Sequence, residues 1–180
     1  MKHRPWALAL ILAMGASVAT GCEKEEGDEV NMQEAAERSD EILDEVLRAI
    51  QPQVRWTHGP TTSGNCEVSR RRTIMTVISA DRRGSFLGLV DRHLRKEGYQ
   101  ISATNSDVDF PAVYARTERG YKVSLRFGGE GQAFLRVDTP CVEESEVAES
   151  TTQATAPTYE GMEHIPRPNI RSPFWSAGAP

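Results

Sequence analysis

The stretch YKVSLRFGGEGQAFLRVD, residues 121–138, reads as two β-strands joined by a glycine-rich turn. Apolar residues occupy every second position of both strands: Tyr121, Val123, Leu125, Phe127, Ala133, Leu135 and Val137. The residues between them are mostly polar, and GGEG at 128–131 predicts the turn. This pattern predicts an antiparallel hairpin with one face toward a core and the other face open.

The sequence before the hairpin predicts one long helix and three more strands. Residues 82–97 carry apolar side chains on one helical face, with Asp81 as the predicted N-cap and Gly98 as the stop. Strands are predicted over 68–79, over 99–104 and over 112–116. The order β-α-β-β-β-β predicts an α+β domain at residues 52–141, with the helix packed on one face of an antiparallel sheet of about five strands.

Two cysteines flank this domain, because Cys66 precedes the first strand and Cys141 follows the last. Tracing the strand directions brings both cysteines to one end of the sheet. They can therefore form a disulfide if the first and last strands are neighbours. In the chain-entropy model, closing a loop of about 76 residues stabilises the fold by at most roughly 4.5 kcal/mol.

The N-terminus has the layout of an export signal over residues 1–21. MKHRP is basic, and residues 6–19 form an uncharged run shorter than the roughly 20 residues that a membrane-spanning helix needs. Ala19-Thr20-Gly21-Cys22 resembles a bacterial lipobox, in which the cysteine receives a diacylglyceryl group, although Ala19 stands where leucine is most common. Ordinary signal-peptidase cleavage after Ser17-Val18-Ala19 is the alternative.

Cysteine parity favours the lipid anchor. Lipidation uses Cys22 and leaves Cys66 and Cys141 as a pair, whereas ordinary cleavage exports an odd cysteine. Stable anchoring needs more than one acyl chain, which lipobox modification supplies. Residues 22–30 are then an acidic tether. Residues 31–51 form an amphipathic helix with capping-box spacing at Asn31 and Glu34, and Pro52 limits its length.

The C-terminal tail, residues 142–180, is rich in proline and small polar residues and predicts no regular structure. It nevertheless places Ile165, Ile170, Phe174 and Trp175 among its last prolines. We expect a strap packed along its own domain. A docking motif for a partner, using Phe174 and Trp175, is the alternative.

Two groups of residues are candidates for binding. Lys122, Arg126 and Arg136 lie on the open side of the predicted hairpin, and Arg70 and Arg72 join them in one register of the first strand. Such a basic face suits an anionic surface polymer or lipid headgroups, or it is an ordinary solvated face. Trp56 and His58 lie in a loop before Cys66, where the tryptophan either closes one end of the core or forms a binding edge.

No pattern in the sequence points to catalysis, a cofactor or a metal. His58, His93 and His164 have no metal-ligand spacing with another histidine or with cysteine. Asp91 and His93, two apart on a helix, do not face each other as catalytic partners would, and there is no G-x-S-x-G. Removing residues 1–21 takes away Lys2 and Arg4 and leaves 19 basic against 26 acidic residues, a net charge of about −7 that disfavours nucleic acid.

Four stretches together carry a family resemblance: VRWTHGP at 54–60, CEVSRRRTIMTVIS at 66–79, RRGSFLGLVDRHLRKEGY at 82–99 and IPRPNIRSPFWSAGAP at 165–180. They resemble a family of lipoproteins, without an assigned activity, from streptomycetes and related actinobacteria. The resemblance implies a lipid-anchored protein on the extracytoplasmic face of the cell membrane and supplies no catalytic residue.

We therefore expect a noncatalytic binding or interaction module at the cell envelope. Its partners would be the membrane, through the anchor, and an envelope protein or an anionic surface polymer. A cell-envelope enzyme of the hydrolase type and a structural accessory subunit of an envelope complex are the alternatives.

Overall fold

The computed structural model describes residues 30–159 and 164–179. The predicted signal peptide and the predicted lipobox with Cys22 lie outside these residues. The helices are α1, Met32–Ala49, and α2, Ala80–Lys96. The strands are listed in chain order: β1 Trp56–His58, β2 Thr62–Ser63, β3 Val68–Ile74, β4 Gln100–Asn105, β5 Ala112–Arg116, β6 Lys122–Phe127 and β7 Ala133–Asp138.

The strands form one antiparallel sheet in the order β1-β3-β7-β6-β5-β4, with β2 paired to β3 as well. The predicted α+β fold is confirmed, and the first and last predicted strands, β3 and β7, are direct neighbours. Two short strands that the sequence pattern did not predict, β1 and β2, extend the sheet beside β3. Cys66 and Cys141 form the disulfide at the end of the β3–β7 pair.

Both helices cover the same face of the sheet. Helix α1 packs on β3 and β7, while α2 packs on β4 and β5. The predicted capping box begins α1, since the Asn31 side chain accepts from the Glu34 backbone and the Glu34 carboxylate accepts from the Asn31 backbone. The apolar sides of β6 and β7 meet the two helices to form the main core.

Three details of the predicted elements differ from the structure. The first strand was predicted to run to residue 79, but β3 ends at Ile74 because the chain beyond it pairs with the tail, where Val77 donates to the Ile170 carbonyl. Helix α2 begins at Ala80 instead of residue 82, and Ser79 rather than Asp81 is its N-cap. In β4 the pairing register shifts between Ile101 and Ala103, which breaks the predicted alternation and leaves Ala103 exposed.

The C-terminal strap, defined as residues 142–159 and 164–179, wraps around the β1 edge of the sheet. Thr155 and Ala156 donate backbone hydrogen bonds to the Trp56 carbonyl, and Asn169 and Ile170 donate to the Met75 carbonyl. The strap contains no helix or strand among these described residues. Its order comes from backbone hydrogen bonds to the domain and from the side chain of Trp175.

Candidate functional site

The face of the sheet opposite the helices, called the open face below, carries the polar positions of the alternating strands. On β6, Val123, Leu125 and Phe127 are buried in the core, so Lys122, Ser124 and Arg126 lie on the open face. The strand register then assigns the neighbouring strands to the same face. The predicted position of Lys122, Arg126 and Arg136 on one side of the hairpin follows directly from this pairing.

The register arranges the open face in three rows that cross β3, β7, β6 and β5. The rows are Ser69, Asp138, Lys122, Arg116; then Arg71, Arg136, Ser124, Tyr114; then Thr73, Phe134, Arg126, Ala112. Successive rows are about 6.8 Å apart along a strand, and strands are about 4.8 Å apart. Basic residues therefore occur in every row.

The open face is strongly cationic within the described part of the chain. The basic residues in the rows are Arg71, Arg116, Lys122, Arg126 and Arg136. The one carboxylate in these rows is Asp138, whose Oδ1 lies 2.6 Å from Arg136 Nη2 and accepts from Arg136 Nε at 2.7 Å. None of the other four cations forms an ion pair with a described residue. These cations are available to an anionic ligand.

The guanidinium of Arg71 is partly buried and lies near two other cations of the open face. Burial lowers the pKa of its guanidinium below the usual value, and the nearby charges of Arg136 and Arg126 lower it further. Its guanidinium carbon lies 5.3 Å from the centre of the Phe134 ring. An arginine stays protonated under physiological conditions, so this clustering of cations is an electrostatic cost that an anion would relieve.

Ser124 lies at the middle of the rows. It is only 9% exposed, because longer side chains surround it on the open face. Its hydroxyl makes no hydrogen bond to any residue in the described ranges. An open depression of about 740 Å³ is lined by Ser124, Tyr114, Lys122, Arg126 and Arg136, among other residues. A hydroxyl donor thus lies between the cations.

Arg70 and Arg72 were expected to be able to join this face, and that expectation was wrong. Arg70 pairs with Val137 and Arg72 with Leu135, so both point to the helix-covered side and both are buried. Arg72 forms ion pairs with Asp40 and Asp44 of α1, and Arg70 Nε lies 3.4 Å from Asp40 Oδ2. Arg71 takes their place beside Arg136.

The sequence held a signal for this arrangement. Val68 and Ile74 are apolar and share strand parity with Arg70 and Arg72, so alternation assigns all four to the core side. Arg71 then lies on the open face. Arg116 and Tyr114 follow from the same alternation in β5, where Val113 and Ala115 are the buried positions.

The two residues of the candidate loop have different environments. Trp56 is 5% exposed and belongs to the core, with the Arg72 guanidinium carbon 4.1 Å from its ring centre. His58 is half-buried, and its Nε2 lies 2.7 Å from the Thr152 carbonyl of the strap. A second depression of about 780 Å³ lies beside it, lined in part by His58, Arg71 and Phe134.

The aromatic residues of the strap also differ. Trp175 is fully buried, packs edge-on against Phe86 with ring centres 5.1 Å apart, and donates from Nε1 to the Pro52 carbonyl at 2.5 Å. Phe174 is 39% exposed and lies under the Arg82 guanidinium. The structure therefore favours the strap over the docking motif, since Trp175 is part of the core.

Two further observations concern sites elsewhere in the described residues. No group of three or more His, Cys, Asp or Glu side chains is placed there to hold a metal ion. None of the described helices combines the length and the apolar character needed to span a bilayer.

Comparison with family models, with curated proteins and with solved structures finds no match.

Proposed function

We propose that this protein is a noncatalytic binding module at the cell envelope, held to the extracytoplasmic side of the membrane by a lipid on Cys22. Its open face binds an anionic surface polymer. The observation that supports this proposal is the set of basic residues in all three rows of the open face, opposed by Asp138 alone among the described residues of those rows.

The contrast with the rest of the molecule strengthens the electrostatic argument. The chain is acidic overall, with 26 Asp and Glu against 21 Lys and Arg. A local cationic surface on an acidic protein attracts a polyanion to one face while the remaining surface repels it. The polymer is therefore oriented as well as attracted.

The position of the tether is compatible with this function. Val30 accepts a backbone hydrogen bond from Glu143, close to the Cys66–Cys141 disulfide. The row containing Lys122 and Arg116 lies at the same end of the sheet, because β7 ends at Asp138 just before Cys141. The chain from Cys22 to Val30 can span at most about 30 Å. The open face would thus begin near the membrane surface.

The polymer proposal is tested by co-sedimentation of the mature protein with actinobacterial cell walls that have been freed of protein. One variant carries Lys122→Ser, Arg126→Ser and Arg136→Ser. A control variant removes the same charge from α2 with Arg92→Ser, Arg95→Ser and Lys96→Ser, all on exposed positions.

We expect the parent and the control to sediment with the walls and the open-face variant to remain in solution. Walls extracted to remove their anionic polymers should bind none of the three proteins. Equal sedimentation of parent and open-face variant, or undiminished binding to extracted walls, would contradict the proposal.

The anchor is tested separately by mass spectrometry of the mature N-terminus. The proposal predicts a chain that begins at Cys22 and carries a diacylglyceryl group. An unmodified chain beginning at Thr20 would remove the anchor and leave the binding face as a property of a secreted protein.

A further inference from the structure

We infer that the anionic group bound at the centre of the open face is a phosphodiester, repeated along a polymer, and that the Ser124 hydroxyl is the residue that distinguishes it from a carboxylate. This inference rests on the proposed function, because it names the chemical class of the polymer that the same face binds. It adds Ser124 and Tyr114 to the cations already described.

Residues with hydrogen-bond donors occupy the positions around Ser124. Lys122 and Arg126 lie two residues away on either side along β6, each about 6.8 Å distant at the backbone. Arg136 pairs with Ser124 from β7, and Tyr114 pairs with it from β5. Donors therefore surround one small hydroxyl from four sides of the sheet surface.

Two groups at the centre of the open face, the Ser124 hydroxyl and Arg136 Nη1, have unused hydrogen-bonding capacity. Ser124 is 9% exposed, and its hydroxyl makes no hydrogen bond to a described residue. Asp138 holds Arg136 through Nε and Nη2, which leaves Nη1 without a hydrogen bond in the described part of the chain. A bound anion would satisfy both groups.

The shape of an anion determines how many of these donors it can pair with. A carboxylate presents two oxygens whose lone pairs lie in one plane, so it is matched by donors in that plane. The donors here stand on three neighbouring strands and include a hydroxyl at the floor of the depression. A tetrahedral phosphodiester can accept from the floor and from the surrounding cations at once, whereas a carboxylate would leave some of these donors unpaired.

Basic residues recur from row to row along β6. Cations occur in the row of Lys122 and Arg116, in the row of Arg71 and Arg136, and in the row of Arg126. These rows extend over about 14 Å along β6. A single small anion would use one row, but a chain of anionic groups lying along β6 would use all three. The geometry therefore favours a polymer over a free phosphate.

The test compares two polymers with one negative charge per repeat unit, synthetic poly(glycerol phosphate) and polygalacturonate, by equilibrium binding to the mature protein in micelles of a neutral detergent. The variants are Ser124→Ala, Ser124→Thr, which keeps a hydroxyl, and the triple open-face variant. Circular dichroism establishes that each variant is folded.

We expect the parent to bind poly(glycerol phosphate) about tenfold more tightly than polygalacturonate, as one hydrogen bond to a charged group allows. Ser124→Ala should lose most of this preference while its affinity for polygalacturonate stays unchanged, and Ser124→Thr should retain it. Equal affinity of the parent for both polymers, or an equal loss for both in Ser124→Ala, would overturn the inference.

The same measurements separate failure of the inference from failure of the proposed function. If the parent binds both polymers equally and the triple variant binds neither, the cationic face stands and the phosphodiester assignment is wrong. If the parent binds neither polymer, the proposed function itself fails. Because the acyl anchor would itself enter a vesicle, the last arm uses glycerophosphoglycerol, the free headgroup of phosphatidylglycerol, as a competitor. Displacement of poly(glycerol phosphate) at an equal concentration of phosphodiester would overturn the polymer in favour of a lipid headgroup.

Discussion

The guanidinium carbon of Arg72 lies 4.1 Å from the centre of the Trp56 ring, in the core between the sheet and helix α1. Arg72 is fully buried and forms ion pairs with Asp40 and Asp44 of that helix. Arg72 therefore links β3 to α1 through ion pairs, and apolar residues occupy the rest of the interface between them. Its role is structural, in contrast to that of Arg71, its neighbour in the chain.

Arg72→Ala should therefore destabilise the protein strongly. Removing Arg72 takes away an ion-pair partner of Asp44 and one of the two partners of Asp40, and breaking a buried ion pair costs up to about 3–5 kcal/mol. Arg126→Ala, on the open face, should change the free energy of unfolding by less than about 0.5 kcal/mol. Urea unfolding followed by circular dichroism measures both, and equal stability of the two variants would contradict the buried position of Arg72.

Trp175→Ala should also destabilise the fold, although the residue lies only a few positions from the C-terminus. Replacing a fully buried tryptophan with alanine costs roughly 3–5 kcal/mol. Phe174→Ala is the matched control, since Phe174 is 39% exposed, and the substitution should cost less than about 1 kcal/mol. Thermal unfolding that ranks the two variants equally would mean that the strap does not pack as described.

Truncation after Pro166 removes Trp175 and is expected to impair folding as well as any binding by the tail.

The disulfide offers a third prediction. Non-reducing peptide mapping of exported protein should find Cys66 joined to Cys141. Replacing both cysteines with serine should lower the free energy of unfolding by at most roughly 4.5 kcal/mol, because the released loop gains entropy mainly in the unfolded chain. Free thiols at both positions, or an unchanged urea midpoint in the double variant, would contradict this arrangement.

Tyr121 predicts a dependence of stability on alkaline pH. Burial raises the pKa of its phenol above the usual value of about 10, with Glu41 adding to the effect and Arg38 and Arg119 opposing it. Because the folded state favours the neutral phenol, its contribution is fully present below about pH 10 and is lost as the pH rises through the folded-state pKa.

Tyr121→Phe keeps the ring and removes the titration. The parent should therefore lose stability more steeply than Tyr121→Phe as the pH rises above about 10, as measured by urea unfolding at each pH. Parallel losses in the two proteins would show that Tyr121 ionises with equal ease in the folded and unfolded chains.

The sequence was sufficient for the parts of this fold that local patterns determine. Alternation in residues 121–138 predicted β6, β7 and the open positions Lys122, Arg126 and Arg136, and the Asn31–Glu34 spacing predicted the start of α1. The short strands β1 and β2 were missed because three and two residues are too few to show a period.

Other features depend on tertiary contacts that no local pattern contains. The β-branched residues after Ile74 satisfy strand propensity by pairing with the strap instead of the sheet, so β3 is shorter than its sequence suggests. Trp175 lies in a segment without periodicity, and its burial depends on the space between Phe86 and the Pro52 carbonyl. The parity of Arg70 and Arg72 was readable from Val68 and Ile74, but a run of three arginines obscured it.

The salt dependence of binding between the mature protein, in neutral detergent micelles, and anionic cell-wall polymers tests whether the cations of the open face make the contact. We predict that the logarithm of the association constant falls with the logarithm of salt concentration with a slope on the order of −3, because several cations of the open face replace counterions of the polymer. The variant with Lys122, Arg126 and Arg136 replaced by serine should bind weakly and with a much smaller slope, while the α2 control keeps the parent slope. Binding that is independent of salt, or a slope that stays unchanged in the open-face variant, would contradict binding through the cations of the open face.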